Sequence, residues 1–193
     1  MRNIIIAALF ATVAASPALA QSDAAPFTGP RIEALVGWDH PVTPAGKDNG
    51  FAYGVGAGYD YQIGRAVIGG EIEWSDSTAK QCANGVSVAN DRLCVGTGRD
   101  LYVGGRVGVA VTPKTLIYGK VGYTNAQARL RYTGVAGGPA TFRAHDNLDG
   151  VRVGAGIEQK LTHGTYIKAE YRYSNYEQGY ERHQILGGLG VRF

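Results

Sequence analysis

Apolar and polar residues alternate with a period of two along most of the chain after residue 29. In residues 50–62, GFAYGVGAGYDYQ, bulky apolar side chains fill most odd positions, and small residues, Asp60 and Gln62 fill the even ones. Successive side chains of a strand point to opposite faces, so this stretch predicts a strand with one apolar and one sparse face. Seven other segments repeat the pattern.

The eight predicted strands cover 30–38, 50–62, 65–74, 99–111, 116–124, 150–159, 166–174 and 183–193. Three connections are short and carry Gly or Pro, as tight turns require. They alternate with four long polar connections, at about 39–49, 75–97, 125–148 and 174–181. This strict alternation predicts an up-and-down array with the short turns and both chain termini at one end and the long loops at the other.

The glycines decide which face of this array points inward. If the apolar face were inside, glycines at 54, 56, 58, 104, 108, 154, 156, 188 and 190 would line the outer surface. Each would cost about 0.5–1 kcal/mol relative to alanine without any packing in return. Inside an eight-stranded barrel they leave room for long side chains such as Arg106 and Glu71. The apolar face is therefore predicted to face lipid, as in a membrane barrel.

The charges on the inward face nearly balance in sign. The lumen network is predicted to comprise Glu33, Glu71, Glu73, Arg106, Lys120, Arg152, Glu158, Lys168, Glu170, Arg172 and Arg192, with Arg31, Asp60 and Asp100 on the same face. Removing one partner of a buried pair is costly, so a mixed interior favours interlocked ion pairs over a permeation path. A pore lined by one sign of charge would have favoured ion selectivity.

Aromatic residues lie on the apolar face near the strand ends. The predicted girdles contain Trp38, Phe51, Tyr53, Trp74, Tyr123, Tyr171 and Tyr173 at the long-loop end, and Tyr59, Tyr61 and Phe193 at the short-turn end. Two aromatic belts are typical of a protein that spans a bilayer. The sequence thus predicts an all-β fold, an eight-stranded antiparallel up-and-down transmembrane β-barrel.

The first residues, MRNIIIAALFATVAASPALA, combine Arg2, a short apolar run and an A-x-A ending. This pattern predicts a cleaved secretory signal peptide at 1–20. A short leader at 21–28 and the barrel domain at 29–193 complete the predicted organisation.

Composition narrows the chemistry further. The formal net charge of +3 is too small to favour nucleic acid as a partner. Cys82 and Cys94 are the two cysteines of the chain, and in an exported protein they are expected to form a disulfide. A redox or metal pair is disfavoured, because C-x-x-C spacing and neighbouring ligand histidines are absent from that stretch.

The C-terminal sequence LGVRF alternates outward and ends on an aromatic residue, Phe193. With the strand pattern, it resembles the small outer-membrane β-barrels of Gram-negative bacteria, the OmpA-type transmembrane domain and the opacity-like surface proteins. The resemblance implies that the barrel-assembly machinery reads Phe193 as its signal. It also implies periplasmic short turns and termini, cell-surface loops, and outer-membrane lipid and lipopolysaccharide as surroundings.

The expected function is therefore a structural or surface-interaction role, with four extracellular loops that meet an unknown ligand. A small low-conductance diffusion pore is the alternative. A lipid-modifying enzyme is a weaker one, since Ser174 and His183 flank the last long loop with nothing to pair them. No cofactor is expected, and a metal site at the rim from His40, His145 and His183 is disfavoured.

Overall fold

The computed structural model of the chain describes residues 25–43, 46–47, 49–135, 138–162 and 164–193. The predicted signal peptide and residues 21–24 of the leader lie outside this part. The strands are β1 (Gly29–Thr43), β2 (Gly46–Lys47), β3 (Gly50–Ile63), β4 (Ala66–Ser77), β5 (Lys80–Asn84), β6 (Arg92–Thr112), β7 (Thr115–Thr133), β8 (Phe142–Lys160), β9 (Thr165–Tyr176) and β10 (Glu181–Arg192).

Eight of these strands form a closed antiparallel barrel in chain order, from β1 through β3, β4, β6, β7, β8 and β9 to β10. The barrel closes where β1 pairs with β10, with Arg31 opposite Arg192 and Val42 opposite Glu181. The short strands β2 and β5 pair with β1 and β6. The predicted eight-stranded up-and-down barrel is confirmed. None of the helices in the described part of the chain is long and apolar enough to cross a membrane.

The three short connections lie where the sequence predicts them. Gly64 and Gly164 adopt φ values of +59° and +80°, which a residue with a side chain rarely adopts. The third turn, at Pro113 and Lys114, joins β6 to β7. All three therefore lie at one end of the barrel, together with the C-terminus.

Most strands extend past their predicted ends, and three of them extend furthest into the predicted loops. β6 begins at Arg92, β7 continues to Thr133 and β8 begins at Phe142, so much of the predicted loops 75–97 and 125–148 is paired strand. A bulge between Thr97 and Asp100 shifts the alternation of β6 by one residue. The polar and apolar faces of β7 and β8 also exchange sides beyond this level. Both changes end the pattern from which the strands were predicted. We call the part of the sheet beyond the bulge the hairpin extension. It consists of β5, residues 92–97 of β6, residues 128–133 of β7 and residues 142–146 of β8.

The apolar side chains of the barrel point outward. Ile72, Val107, Val121 and Ile185 expose between 57% and 64% of their surface. The opposite face of the same strands carries charged residues that are almost fully buried. This is the reverse of a water-soluble barrel, and it is the arrangement that the inward-facing glycines predict.

Candidate functional site in the barrel lumen

Sixteen charged side chains fill the lumen, and each is at most 5% exposed. Eight are acidic (Glu33, Asp39, Asp60, Glu71, Glu73, Asp100, Glu158, Glu170) and eight are basic (Arg31, Arg106, Lys120, Arg152, Lys168, Arg172, Arg182, Arg192). Every one of them lies within ion-pair distance of an opposite charge. The described lumen therefore carries no net formal charge. All eleven lumen residues predicted from the sequence are among these sixteen.

Asp60 is the centre of the cluster nearest the short turns. Its carboxylate accepts hydrogen bonds from Arg31 Nε at 3.1 Å, Arg106 Nε at 2.8 Å and Arg192 Nη1 at 2.5 Å. Glu158 bridges two of these arginines, at 2.6 Å from Arg192 Nη2 and 3.1 Å from Arg106 Nη2. Residues from five different strands are thus tied together at this level.

The middle of the lumen is organised around two lysines. Lys120 Nζ lies 2.7 Å from Glu71, 2.8 Å from Glu73 and 3.0 Å from Glu170. Lys168 Nζ lies 2.6 Å from Glu33 and 3.1 Å from Glu170. Each ammonium group contacts carboxylates on two strands, and both contact Glu170, so the pairs join into one network across the barrel.

A third cluster closes the lumen toward the long loops. Arg182 donates to both carboxylate oxygens of Asp39, at 2.6 and 2.8 Å, and to Asp100 at 2.8 Å. Asp100 also accepts from Tyr176 Oη at 2.9 Å and pairs with Arg152. The sequence analysis placed Asp39 in a loop and left Arg182 just before the last predicted strand. Extending the inward parity of β1 and β10 past the predicted strand ends would have found both.

Three inward-facing tyrosines separate the charged clusters, and the sequence analysis assigned them no role. Tyr118 donates to Glu170 at 2.5 Å and Tyr166 donates to Glu33 at 2.8 Å. Lys120 Nζ lies 4.6 Å from the ring centroid of Tyr102, and Arg106 Cζ lies 4.9 Å from that of Tyr118. Such cation–π contacts add to the ion pairs. Aromatic residues on the polar parity are the signal that could have identified them.

The glycines of β3 make room for this network. A Cβ atom at Gly58 would lie 2.9 Å from Arg31 Nη2, and one at Gly56 would lie 3.1 Å from Glu33 Cγ. The space was expected to receive Arg106 and Glu71. The nearest side chains at Gly56 and Gly58 are instead those of β1, and the nearest at Gly54 is Ser75 of β4, because both strands pair with β3.

Phe27 closes the short-turn end of the lumen. It is fully buried and packs with Val67, Leu116 and Tyr118. Its carbonyl accepts a hydrogen bond from Arg192 Nη1 at 2.6 Å, and its N–H donates to Gln62 at 3.0 Å. The end of the predicted leader is therefore part of the folded barrel, whereas the sequence analysis treated it as a simple connection.

The candidate enzyme and metal residues do not converge. Ser174 is buried and accepts a hydrogen bond from Arg152 Nε at 2.8 Å, whereas His183 faces outward and contacts Tyr171 Oη at 2.8 Å. His40 is opposite His183 between β1 and β10, but His145 is opposite Arg129 between β7 and β8. Among the described residues, no group of three or more His, Cys, Asp or Glu could hold a metal ion.

The other predicted residues lie outside the lumen. The girdle residues Trp38, Phe51, Tyr53, Tyr59, Tyr61, Trp74, Tyr123 and Tyr171 are exposed on the outer surface, and Tyr173 is half-buried there. Phe193 is exposed, and its N–H donates to the carbonyl of Pro30. Cys82 and Cys94 form a disulfide that links β5 to β6 in the hairpin extension.

Asp91 organises the turn at the tip of β5 and β6. Its carboxylate accepts hydrogen bonds from the N–H groups of Val86, Ser87 and Val88 at 2.6, 2.7 and 3.0 Å, and from Tyr132 Oη at 2.7 Å. Burial opposes ionisation, but these donated hydrogen bonds outweigh it and lower the pKa of Asp91 to about 2. The turn is thus built around a carboxylate that stays ionised at neutral pH.

Comparison with known proteins assigns the chain to a family. A family model described as outer membrane protein beta-barrel domain matches residues 5–193. The chain belongs to this family. A 22 kDa outer membrane protein of Rhizobium leguminosarum bv. viciae is 27% identical, over 99% of this chain and all of that protein.

Two solved structures share the architecture of this outer membrane barrel. One is Ail, the attachment invasion locus protein of Yersinia pestis, in complex with the heparin analogue sucrose octasulfate. It is 14% identical with a TM-score of 0.57, over 86% of this chain and 99% of Ail. Neisserial surface protein A is 15% identical with a TM-score of 0.56, over 86% of this chain and 98% of its own. These likenesses establish the fold, and the family places the chain in the outer membrane.

Proposed function

We propose that this outer membrane barrel is a non-conducting anchor that presents its long loops for contacts at the cell surface. The observation that carries the proposal is the charge-balanced lumen. Sixteen buried and paired side chains occupy the interior, and Phe27 covers its short-turn end. A diffusion pore needs a hydrated path with sites that bind an ion weakly enough to release it. In this lumen the charged side chains are instead paired with one another.

In this proposal, the short turns and both termini face the periplasm, and the four long connections face the outside. Phe193, exposed beside the first strand, serves as the residue that the barrel-assembly machinery reads. The separation of Ser174 from His183 on opposite faces of the sheet favours a binding role over catalysis. Lipopolysaccharide and an extracellular ligand are the partners toward which the hairpin extension is directed.

Planar-bilayer recordings test the closed lumen. Purified protein, refolded in phospholipid vesicles and fused with the bilayer, is expected to give no reproducible conductance steps at 1 M KCl. A large porin reconstituted in the same way is the positive control for insertion, and protease protection measures how much of the barrel has inserted. Reproducible steps that disappear when an added side chain blocks the lumen, as in Gly56→Arg, would establish the diffusion pore instead.

A further inference from the structure

The inside and outside of the sheet exchange character where the strands leave the barrel. Within the barrel, β7 points Val121 and Tyr123 outward and buries Lys120 and Thr124. Pairing of β7 with β8 continues without a break up to Tyr132 opposite Phe142, so the phase of both strands is kept. In the hairpin extension, the outward positions of β7 become polar and include Arg129 and Arg131. The inward position Tyr132 is buried instead. The outward surface of the extension is therefore suited to an anionic environment.

Strand register gathers the cations of the extension on this outward surface. One row runs across the four strands from Lys80 through Gly96 and Arg129 to His145. The next row runs from the disulfide to Arg131 and Arg143, and Arg92 follows beside Thr133. We call the set of exposed cations the outer basic face. It consists of Lys80, Arg92, Arg129, Arg131 and Arg143.

The outer basic face is not neutralised from within the described chain. Its one ion pair there joins Arg129 Nη2 to Asp76 Oδ2 at 3.5 Å, and the other four cations have none. Arg131 is directly opposite Arg143 on the neighbouring strand. Like charges in that relation destabilise a sheet. An anionic ligand that bridges the two guanidinium groups would remove this repulsion.

The direction and height of the face identify that ligand. Because it shares the outward parity of the lipid-facing residues, the face points sideways over the surrounding leaflet rather than along the barrel axis. Arg129 follows the girdle residue Tyr123 by six positions on β7, which is about 20 Å along a strand. With a tilt of about 40°, the arginine stands roughly 15 Å above the girdle. Sugars that extend from an outer-leaflet lipid occupy that zone.

We propose that the outer basic face binds the anionic core sugars of lipopolysaccharide molecules packed around the barrel. Arginine guanidinium groups bind carboxylate and phosphate groups in a bidentate manner, and both occur on such sugars. The disulfide between Cys82 and Cys94 lies within the face and holds β5 against β6. The cations therefore form a fixed array. This inference rests on the proposed surface role and the outward orientation of the long loops.

The test compares the wild type with the double variant Arg131→Gln/Arg143→Gln in phospholipid nanodiscs. The probe is the soluble core oligosaccharide released from rough-type lipopolysaccharide, and binding is measured by surface plasmon resonance in 0.1 M NaCl. The variant is expected to bind at least tenfold more weakly. Its resistance to urea should equal or exceed that of the wild type, because an opposed like-charge pair is removed. A purely structural role would give a loss of stability instead.

The matched control is Arg65→Gln/Lys114→Gln, which removes two exposed cations at the short-turn end and should leave core-sugar binding unchanged. Equal weakening in both double variants, or none in either, would overturn the proposal. Binding of a heparin fragment without binding of the core oligosaccharide would also overturn it in favour of a soluble sulfated glycan. Silent bilayer recordings together with absent sugar binding would reject this inference while leaving the closed-anchor proposal in place.

Discussion

At the scale of single residues, the lumen shows why charge can be buried safely in this barrel. Asp60 contacts three guanidinium groups, and each of those also reaches a second acid. Transfer of an isolated charge out of water costs several kcal/mol, and good geometry with several hydrogen bonds offsets that cost. The network is therefore stable as a whole, and it is sensitive to the loss of one member.

Residue-scale prediction from sequence succeeded where parity was sufficient and failed where partners had to be known. Alternation within the strands identifies which side chains face the lumen, as for Glu71 and Arg172. It cannot identify their partners, because those depend on the register between strands that are distant in sequence. The contact of Arg182 with Asp39, 143 positions apart, is of this kind. Register comes from side-chain packing and turn geometry together, and alternation carries neither.

Asp60→Asn is expected to destabilise the barrel by about 3–5 kcal/mol, because it removes the acid that three buried guanidinium groups share and leaves one buried positive charge uncompensated. Urea titration of the protein folded in phospholipid vesicles measures this, with the fluorescence of the lipid-facing Trp38 and Trp74 as the signal. Asp146→Asn is the control, because Asp146 is exposed on the hairpin extension. Its effect should stay within about 0.5 kcal/mol. Equal effects of the two substitutions would contradict the burial of Asp60 in an ion-paired lumen.

At the scale of elements, the outward positions of one strand change in character along its length. Inside the membrane, the outward positions are apolar, and above it they are polar and include the cations of the outer basic face. Alternation with one constant phase predicts the first part, whereas the second part is predicted as loop because its apolar residues lie on the opposite face. In β6 the bulge between Thr97 and Asp100 changes the phase as well. In such a strand, the apolar residues pass from one face to the other with no turn residue between them. This change marks the point where the strand leaves the hydrocarbon of the bilayer.

The membrane phase of β8 is tested by Val153→Arg. Val153 lies mid-strand, opposite Val121 on β7, and faces outward. An arginine there is expected to cost about 2–4 kcal/mol, because its charge would lie near the bilayer midplane. The free energy of folding into vesicles gives this value. Val153→Ala controls for lost packing and should fold nearly as well as the wild type. Arginine and alanine variants of equal stability would mean that this face does not contact hydrocarbon.

At the scale of the whole molecule, charge is divided into two populations with different surroundings. The lumen holds eight acids and eight bases, buried and mutually paired. The outer basic face holds five exposed cations, with Asp76 as the described acid beside them. The small net charge of the chain conceals this division. Composition alone could exclude a nucleic-acid binder, but it could not reveal a local basic surface.

Salt should separate the two populations in one preparation. The Debye length falls from about 10 Å at 0.1 M to about 3 Å at 1 M, and buried pairs are screened far less than exposed charges. Raising NaCl over this range is expected to leave the urea midpoint of the barrel unchanged, while core-oligosaccharide binding weakens at least tenfold. The Arg131→Gln/Arg143→Gln variant is the control, and its residual binding should depend less on salt. A urea midpoint that falls as binding falls would mean that ions reach the lumen charges, and the closed anchor would then give way to the diffusion pore.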